Sequence, residues 1–495
     1  MVFMSVIKIE NLTFSYYGYV KPIFENVSFS FDTNWKTGLI GRNGIGKSTF
    51  FKLLLGEEKY QGKINKSVEC TKFPPNIEDE TLSAVDFFNL YIHNAEEWRF
   101  FKELNLLELD ESLAYTPLNT LSKGERTKVL LAVLFTAQNG FLLIDEPTNH
   151  LDIAGRNTVA KYLKDKKGFL LISHDRNFLD SCIDHVISLN RNSIDVQMGN
   201  FTSWYENKMK KDQYEMDENE RLKKDIRRLR ESARQSKQWS DKVEKTKMGQ
   251  KVSGVKPDKG YIGHQSAKMM KKSKNLEKRQ NKAIEDKENL LKDVEKKEEL
   301  KLQCLKSHKD VLFKIEKLSA YYADRQILNN VNLEIRQGER IAIYGKNGCG
   351  KSTLLKILLG EDISHTGELQ KANNLKISYI SQDISNLSGD LSEYIKLNDV
   401  DETLCKTILR KLDFSRELFD IDMAKYSDGQ KKKVLIAVSL SKEAHIFIWD
   451  EPLNYIDIIS RMQIEEILLN SKPTLIFVEH DKKFVDTIAT KIVEL

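Results

Sequence analysis

Short alternating apolar runs open two distant parts of this chain, Val6-Ile7-Lys8-Ile9 and Leu312-Phe313-Lys314-Ile315, and their period of two predicts β-strands. A compact apolar run follows in each part, Thr37-Gly38-Leu39-Ile40 and Ile341-Ala342-Ile343-Tyr344, and leads into a glycine-rich turn. After the turn come FFKLLLG and LLKILLG, which predict helices stopped at Gly56 and Gly360. Between these parts the pattern changes. From about 204 to 250 helix formers dominate, with Leu222, Ile226, Leu229 and Ala233 at three-to-four spacing. From about 267 to 305, Met269, Leu276, Ala283 and Leu290 recur seven apart. Two long amphipathic helices packed as an antiparallel pair satisfy both patterns. The break between them spans 248–263, where four glycines and Pro257 prevent either helix from continuing. An arm of about forty residues, at a rise of about 1.5 Å each, reaches roughly 60 Å.

The two strand-rich parts are copies of one unit. GRNGIGKST at Gly41–Thr49 recurs as GKNGCGKST at Gly345–Thr353, and LLIDEP ending at Pro147 recurs as FIWDEP ending at Pro452. Ser173-His174-Asp175 recurs as Glu479-His480-Asp481. The offsets are 304 for Lys47/Lys351, 305 for Asp145/Asp450 and 306 for His174/His480, so the chain is a tandem duplication. The expected organisation is a first nucleotide-binding domain over 1–203, a helical hairpin over 204–310 with its tip near 248–263, and a second nucleotide-binding domain over 311–495. The fold class is α/β: two tandem P-loop NTPase domains joined by a long antiparallel α-helical hairpin.

Composition narrows the setting. A chain of 495 residues exceeds a single core, and 40% hydrophobic with 31% charged residues fits a soluble α/β protein. There is no run of about eighteen apolar residues, so no membrane span is expected, and the N-terminus lacks the pattern of a signal peptide. The five cysteines are scattered without a CxxC pair, which fits reduced thiols in the cytoplasm. Net charge is +5, yet residues 221–280 hold 20 basic and 6 acidic residues, a surplus of +14 against −9 elsewhere. A basic segment of that size predicts a polyanionic partner.

GxxxxGK[ST] needs glycines because the main chain itself wraps the phosphates. The candidate ATP-binding residues are Gly41, Asn43, Gly44, Gly46, Lys47, Ser48 and Thr49 in the first copy. Gly345, Asn347, Gly348, Gly350, Lys351, Ser352 and Thr353 are their equivalents in the second. Lysine reaches the outer phosphates, while Ser48 with Asp145 and Ser352 with Asp450 are placed to hold Mg²⁺. Glu146 and Glu451, next in sequence, are suited to polarise the attacking water.

These residues resemble the ATP-binding-cassette (ABC) ATPases, so the resemblance makes the two domains ABC-type. The family's signature loop is matched by Leu121-Ser-Lys-Gly-Glu125 and Tyr426-Ser-Asp-Gly-Gln430. The resemblance implies that Ser122 and Gly124 complete the second ATP site and Ser427 and Gly429 the first. It further implies that His174 and His480 contact the γ-phosphate and that Gln382 joins the Mg²⁺ site. Tyr16 or Tyr17, and Tyr322 or Tyr321, would stack on adenine, with core packing as the competing reading. Phe73-Pro74-Pro75 stands where the first copy should carry its glutamine, and the third signature position is Lys123 in one copy and Asp428 in the other. Two unequal sites are expected, the one built from Lys47 and Asp428 being the less ordinary.

Without membrane spans, the pair resembles the ABC-F family of soluble tandem cassettes. Asp145-Glu-Pro-Thr-Asn-His-Leu-Asp152 matches that family's hallmark, and Asp450-Glu-Pro-Leu-Asn-Tyr-Ile-Asp457 is a looser version. Leu39-Ile-Gly-Arg-Asn-Gly44, Ile448-Trp-Asp-Glu-Pro-Leu-Asn-Tyr455, Glu479-His-Asp481 and Met270-Lys-Lys-Ser-Lys274 are most similar to the Lsa-type antibiotic-resistance proteins. That resemblance implies a cytoplasmic, ribosome-associated monomer whose cassettes close on ATP at the E site of the bacterial 70S ribosome, beside 23S rRNA and the P-site tRNA. It implies protection against lincosamides, streptogramin A and pleuromutilins at the peptidyl-transferase centre. A housekeeping translation factor of the same family and the ATPase subunit of a drug exporter are the alternatives. Arg227, Arg228, Arg230, Arg234, Lys268, Lys271, Lys272 and Lys274 are the candidate RNA contacts, with Trp239 or Tyr261 as a stacking side chain. Val255, Lys256, Pro257 and Asp258 form the expected tip, which lacks a large aromatic residue.

Overall fold

The computed structural model describes residues 5–17, 22–92, 96–137, 140–149, 151–190, 193–246, 271, 278, 279, 282, 302, 304–322, 325–346, 348–385 and 387–495, the side chains of 233 and 236–246 excepted. Two compact units result: Met1–Trp204 together with Glu299–Leu495, and Tyr205–Glu298.

In the first unit both copies of the repeat build the same two-sheet body. The first copy contains β1 (Val6–Phe14), β2 (Phe24–Asp32), β3 (Lys36–Ile40), β4 (Gln61–Asn65), β5 (Glu69–Phe73), β6 (Gly140–Asp145), β7 (Phe169–Ile172), β8 (His185–Leu189) and β9 (Ile194–Met198). The second contains β10 (Val311–Tyr322), β11 (Arg325–Arg336), β12 (Arg340–Tyr344), β13 (His365–Lys371), β14 (Ile377–Ile380), β15 (Ile446–Asp450), β16 (Leu475–Val478) and β17 (Lys491–Glu494). Antiparallel sheets run β2-β1-β4 and β11-β10-β13, and the main sheets run β5-β6-β7-β3-β8-β9 and β14-β15-β16-β12-β17. Pairing along the main sheets is parallel, apart from the β8/β9 hairpin. The central strands FLLI of β7 and LIFV of β16 are buried at every residue, because helices cover both faces of a parallel sheet.

The antiparallel sheet, the phosphate-loop helix Lys47–Leu55 and the parallel sheet share one core in the first copy. Ile7, Ile9, Leu12, Phe24 and Phe31 meet Phe50, Phe51 and Leu54, which meet Leu39, Phe141, Leu143 and Leu170. Burying these apolar side chains is what fixes the phosphate loop against the sheet, at about 1.5–3 kcal/mol for each. Gly56 ends that helix at φ 80 and Gly360 ends its counterpart Lys351–Leu359 at φ 91, each returning its N–H to the last turn. Leu302 and Cys304 pack against the core of the second copy, and Leu305 N–H donates to Ala444 O at 3.0 Å.

The helix Phe201–Thr246 is 46 residues long. It starts on the buried Phe201 and Trp204, whose rings lie 5.6 Å apart. Farther along, Arg227, Arg228, Arg230 and Arg234 are exposed, as is Lys271 beyond the helix. The expected break at 248–263, the tip residues Val255, Lys256, Pro257 and Asp258, and Lys268, Lys272, Lys274 and Tyr261 lie outside the described residues, so the expected hairpin is described along its first helix alone. Among the described residues no helix is long and apolar enough to cross a membrane.

Candidate nucleotide-binding sites

Both phosphate loops follow the carboxyl end of an interior strand of their sheet, β3 or β12. In β6, Asp145 is the last residue and lies opposite Ile172, so Asp145 and His174 reach the same edge as the loop. Asp450 lies opposite Val478 in the same way, bringing Asp450 and His480 to the second loop. Carboxyl ends of parallel strands are where α/β sheets open a ligand crevice. Gly46 and Gly350 cap their helices at φ 107 and φ 101, and a Cβ at Gly46 would lie 3.1 Å from Phe24 Cζ. Glycine is therefore required there both for its backbone angle and for the close approach.

In the first site Lys47 Nζ donates to Gly41 O at 2.6 Å and to Arg42 O at 3.2 Å, which ties the lysine back onto its own loop. Burial pushes its pKa down, against the pull of Asp457, Glu146 and Asp145. Glu146 sits at φ 48, with its N–H donated to Ile172 O at 2.9 Å. That left-handed turn aims the side chain past the strand end at a cost of about 1–3 kcal/mol. His174 Nε2 stands 3.2 Å from Glu146 Oε1, yet neither carboxylate oxygen has a hydrogen-bond geometry with any partner. Burial, then the neighbouring Asp145, pushes Glu146 up to about 8, and burial holds His174 well below the ordinary imidazole value. Phe73 is buried at the end of β5, so no amide reaches Glu146 from that strand.

The second site has the same frame and a different lining. Lys351 Nζ donates to Gly345 O and Lys346 O, both at 2.9 Å. Glu451, at φ 46, accepts from Gln382 Nε2 at 2.9 Å and Asn454 Nδ2 at 2.7 Å, and His480 Nε2 lies 3.5 Å away. Burial works to raise its pKa, but His480, Asn454 and Lys351 outweigh it and the pKa falls. Gln382 is thus engaged with Glu451 here rather than with Asp450. Lys432, buried, donates to Ser381 O at 3.0 Å and Glu451 O at 3.2 Å. Asn347 lies outside the described residues.

A hard cation fits both sites. Asp450 Oδ1 is buried without a hydrogen-bond partner, and the Ser352 hydroxyl bonds the same carboxyl group. Ser48 and Asp145 take the equivalent places, and burial raises both aspartates. Mg²⁺ bound with ATP phosphates would supply the positive charge that these carboxylates lack. Lys47 and Lys351 would hold the outer phosphates, and Glu146 and Glu451 would be placed to orient water for an in-line attack.

Ser122 and Ser427 are N-caps of the helices Lys123–Thr136 and Asp428–Ser441, each in a capping box with Glu125 or Gln430. Their helix N-termini favour anions. Gly429 is buried against the first phosphate loop: a Cβ on it would fall 2.6 Å from Asn43 Nδ2. That amide donates to Tyr455 O at 2.7 Å, and Arg42 pairs with Asp413 at 3.1 Å, so the second cassette closes over the first site. Gly124 is half-buried and Ser122 exposed. Tyr16 donates to or accepts from Thr49 Oγ1 at 3.3 Å and packs edge-on to Phe14, whereas Tyr17 and Tyr322 are exposed.

Sequence reasoning passed over the charged residues between the cassettes. Arg156 pairs with Asp175 at 2.9 Å, Arg461 with Asp481 at 3.1 Å, and Lys433 with Asp457 at 2.9 Å. Arg176 forms a two-pronged pair with Glu465 across the boundary. Arg156 and Arg461 repeat at the same offset of 305 as Asp145 and Asp450, a signal available in the sequence.

The family described as ABC transporter matches residues 24–149 and 328–454. ATP-binding protein Uup of Buchnera aphidicola subsp. Acyrthosiphon pisum is 29% identical over 517 residues, covering 99% of this chain and 80% of that protein. Ribosome protection protein VmlR of Bacillus subtilis is 28% identical over 483 residues, covering 96% of this chain and 84% of that protein. Among solved structures, the complex of archaeal ribosomal stalk protein aP1 and archaeal ribosome recycling factor aABCE1 superposes with TM-score 0.63 at 20% identity, over 98% of this chain and 87% of that chain. RNase-L Inhibitor does so with TM-score 0.63 at 19% identity, with the same coverages of 98% and 87%. At such identities the likeness is one of fold. Since the two matched segments make up just over half of the chain, and each carries its own phosphate loop and strand-end acidic pair, the protein belongs to the ABC transporter family as a tandem ABC ATPase.

Proposed function

We propose that this chain is an ATP-dependent ribosome-binding protein of the ABC-F group, most like its Lsa-type members. It acts as a monomer in the cytoplasm, with cassettes over 1–203 and 311–495 that close on ATP and Mg²⁺. The closed form binds the E site of the bacterial 70S ribosome and directs the hairpin of 204–310 along 23S rRNA and the P-site tRNA. The tip, Val255 to Asp258, then displaces lincosamides, streptogramin A and pleuromutilins from the peptidyl-transferase centre. One observation carries this reading: two ATPase cassettes flank a segment with a surplus of +14, and no described helix crosses a membrane. Nucleotide-driven closure therefore has a polyanion to grip and no transport path of its own to drive. Full-length similarity to a protein named for ribosome protection supports it, as does a fold shared with a ribosome recycling factor.

Glu146→Gln/Glu451→Gln protein incubated with ATP should sediment with 70S particles, while the wild type in ADP stays in the supernatant. A doubly substituted protein that remains in the supernatant sinks the ribosome reading. Expression in a susceptible host should also raise lincosamide tolerance with drug accumulation unchanged. Sedimentation without tolerance would indicate a housekeeping translation factor, and lowered accumulation an exporter subunit.

A further inference from the structure

One arginine outside the phosphate loops, Arg156, touches the segments that carry both His174 and His480. Arg156 lies on the helix Ile153–Lys164, and its Nε donates to Leu151 O at 3.1 Å, which fixes the guanidinium. Its Nη1 donates to Asp175 Oδ2 at 2.9 Å and, across the cassette boundary, to His480 O at 3.3 Å. Asp175 is the residue after His174 and caps the following helix through Phe178 N–H at 3.0 Å. One guanidinium thus touches the segment behind each histidine. Arg461 is its repeat, held by Ile456 O at 2.9 Å, Leu453 O at 3.0 Å and Asp481 Oδ2 at 3.1 Å. Its charge is felt by Asp175, Glu146 and His174 of the opposite cassette.

We propose that Arg156, with Arg461 as its pseudo-symmetric partner, is a positioning residue that couples the two ATP sites by tying the main chain of His480 to Asp175 beside His174. A main-chain shift that carries either histidine towards a γ-phosphate is felt at this shared guanidinium. Because His480 O and Asp175 share one donor group, a shift at either segment is paid for in a hydrogen bond at the other. A rigid planar fork with several donors serves this purpose where a lysine, a single point charge, does not. The coupling is a property of the cassette pair and does not depend on what the hairpin binds.

The test is a double-mutant cycle on the full-length chain, read as steady-state ATP hydrolysis without ribosomes. Glu451→Gln is introduced into the wild type and into Arg156→Gln, with Arg156→Lys as the variant that keeps the charge. In the wild type, silencing the second site should also slow the first. In Arg156→Gln that cross-effect should shrink by about fivefold, the scale of ordinary intersite coupling. Arg156→Gln alone should lower kcat with KM within about twofold, since Arg156 touches no part of the phosphate loops; Arg156→Lys should fall between. If Arg156→Gln does not fold, Arg156→Lys carries the same cycle. Cross-effects equal to within about twofold in folded protein mean independent sites and a merely structural arginine, and overturn the proposal.

Discussion

Glu146 and Glu451 occupy equivalent positions with equivalent backbone angles, and their surroundings set them apart. Glu451 is held by Gln382 and Asn454 and kept ionised, whereas Glu146 has no such side-chain amide and is pushed up to about 8, burial being the main cause. A water-polarising carboxylate must be ionised and aimed, so the second site should carry most of the turnover. Glu451→Gln should then remove well over half of the steady-state ATPase activity and Glu146→Gln less than half; equal losses would refute the inequality. Asp457 provides a second prediction at this scale. It is fully buried, caps the helix Ile458–Ser471 through Ser460 N–H at 2.9 Å, and pairs with Lys433. Burial works against its charge, but Lys433 and Ser460 outweigh that and hold the carboxyl well below the usual range. Its folded pKa is depressed, so its contribution is complete above the unfolded value, about 4, and is lost as pH falls below it. Asp457→Asn, which strands a buried Lys433, should cost about 3–5 kcal/mol at pH 7 and less as the pH drops below about 4. Chemical denaturation at a series of pH values would show the two curves converging in acid.

The helices that follow β6 and β15, Ile153–Lys164 and Ile458–Ser471, are copies that have diverged. Glu465 on the second pairs with Arg176 in a buried two-pronged contact, while their repeat equivalents are Ala160 and the exposed Lys482. The latch is therefore one-sided. Glu465→Ala should destabilise the cassette pair by about 3–5 kcal/mol because Arg176 stays buried and unpaired, and adding Arg176→Leu should recover most of that loss. A denaturation midpoint that does not move in the single variant would mean the pair is dispensable. Such contacts also mark where sequence reading ran out. Phosphate loops, the acidic pairs Asp145-Glu146 and Asp450-Glu451 at their strand ends, and the strands ahead of them were legible because glycine, lysine and apolar runs recur at a fixed spacing twice. Gly56 and Gly360 as helix stops were legible for the same local reason. Pairings such as Arg176–Glu465 or Lys433–Asp457 join residues 289 and 24 apart, and no local pattern encodes which charge meets which. Only the repeat itself, with Arg156 and Arg461 at the catalytic offset, carried a trace of them.

Charge is distributed over the whole molecule in a way that separates its labour. The cassettes and flanks sum to −9 while 221–280 carries +14, so a polyanion is repelled by the ATPase body and attracted by the segment between the copies. Arg227, Arg228, Arg230 and Arg234 lie within eight residues of one helix and are exposed, so they can meet successive phosphates along a nucleic-acid strand. Binding by such contacts releases counterions, and affinity falls with salt at a slope of about 0.7–0.9 per phosphate neutralised. Replacing all four arginines with glutamine should therefore flatten the slope of log Kd against log salt for ribosome binding by about three, while weakening binding most at low salt. ATP hydrolysis by the cassettes, measured without ribosomes, should change by less than about twofold, because none of the four contributes to a phosphate site. The two readouts must part company for the division of labour to hold. An unchanged salt slope would move the RNA contacts off this helix, and a matching fall in hydrolysis would mean that the basic segment is needed to assemble the cassettes rather than to carry them to their target.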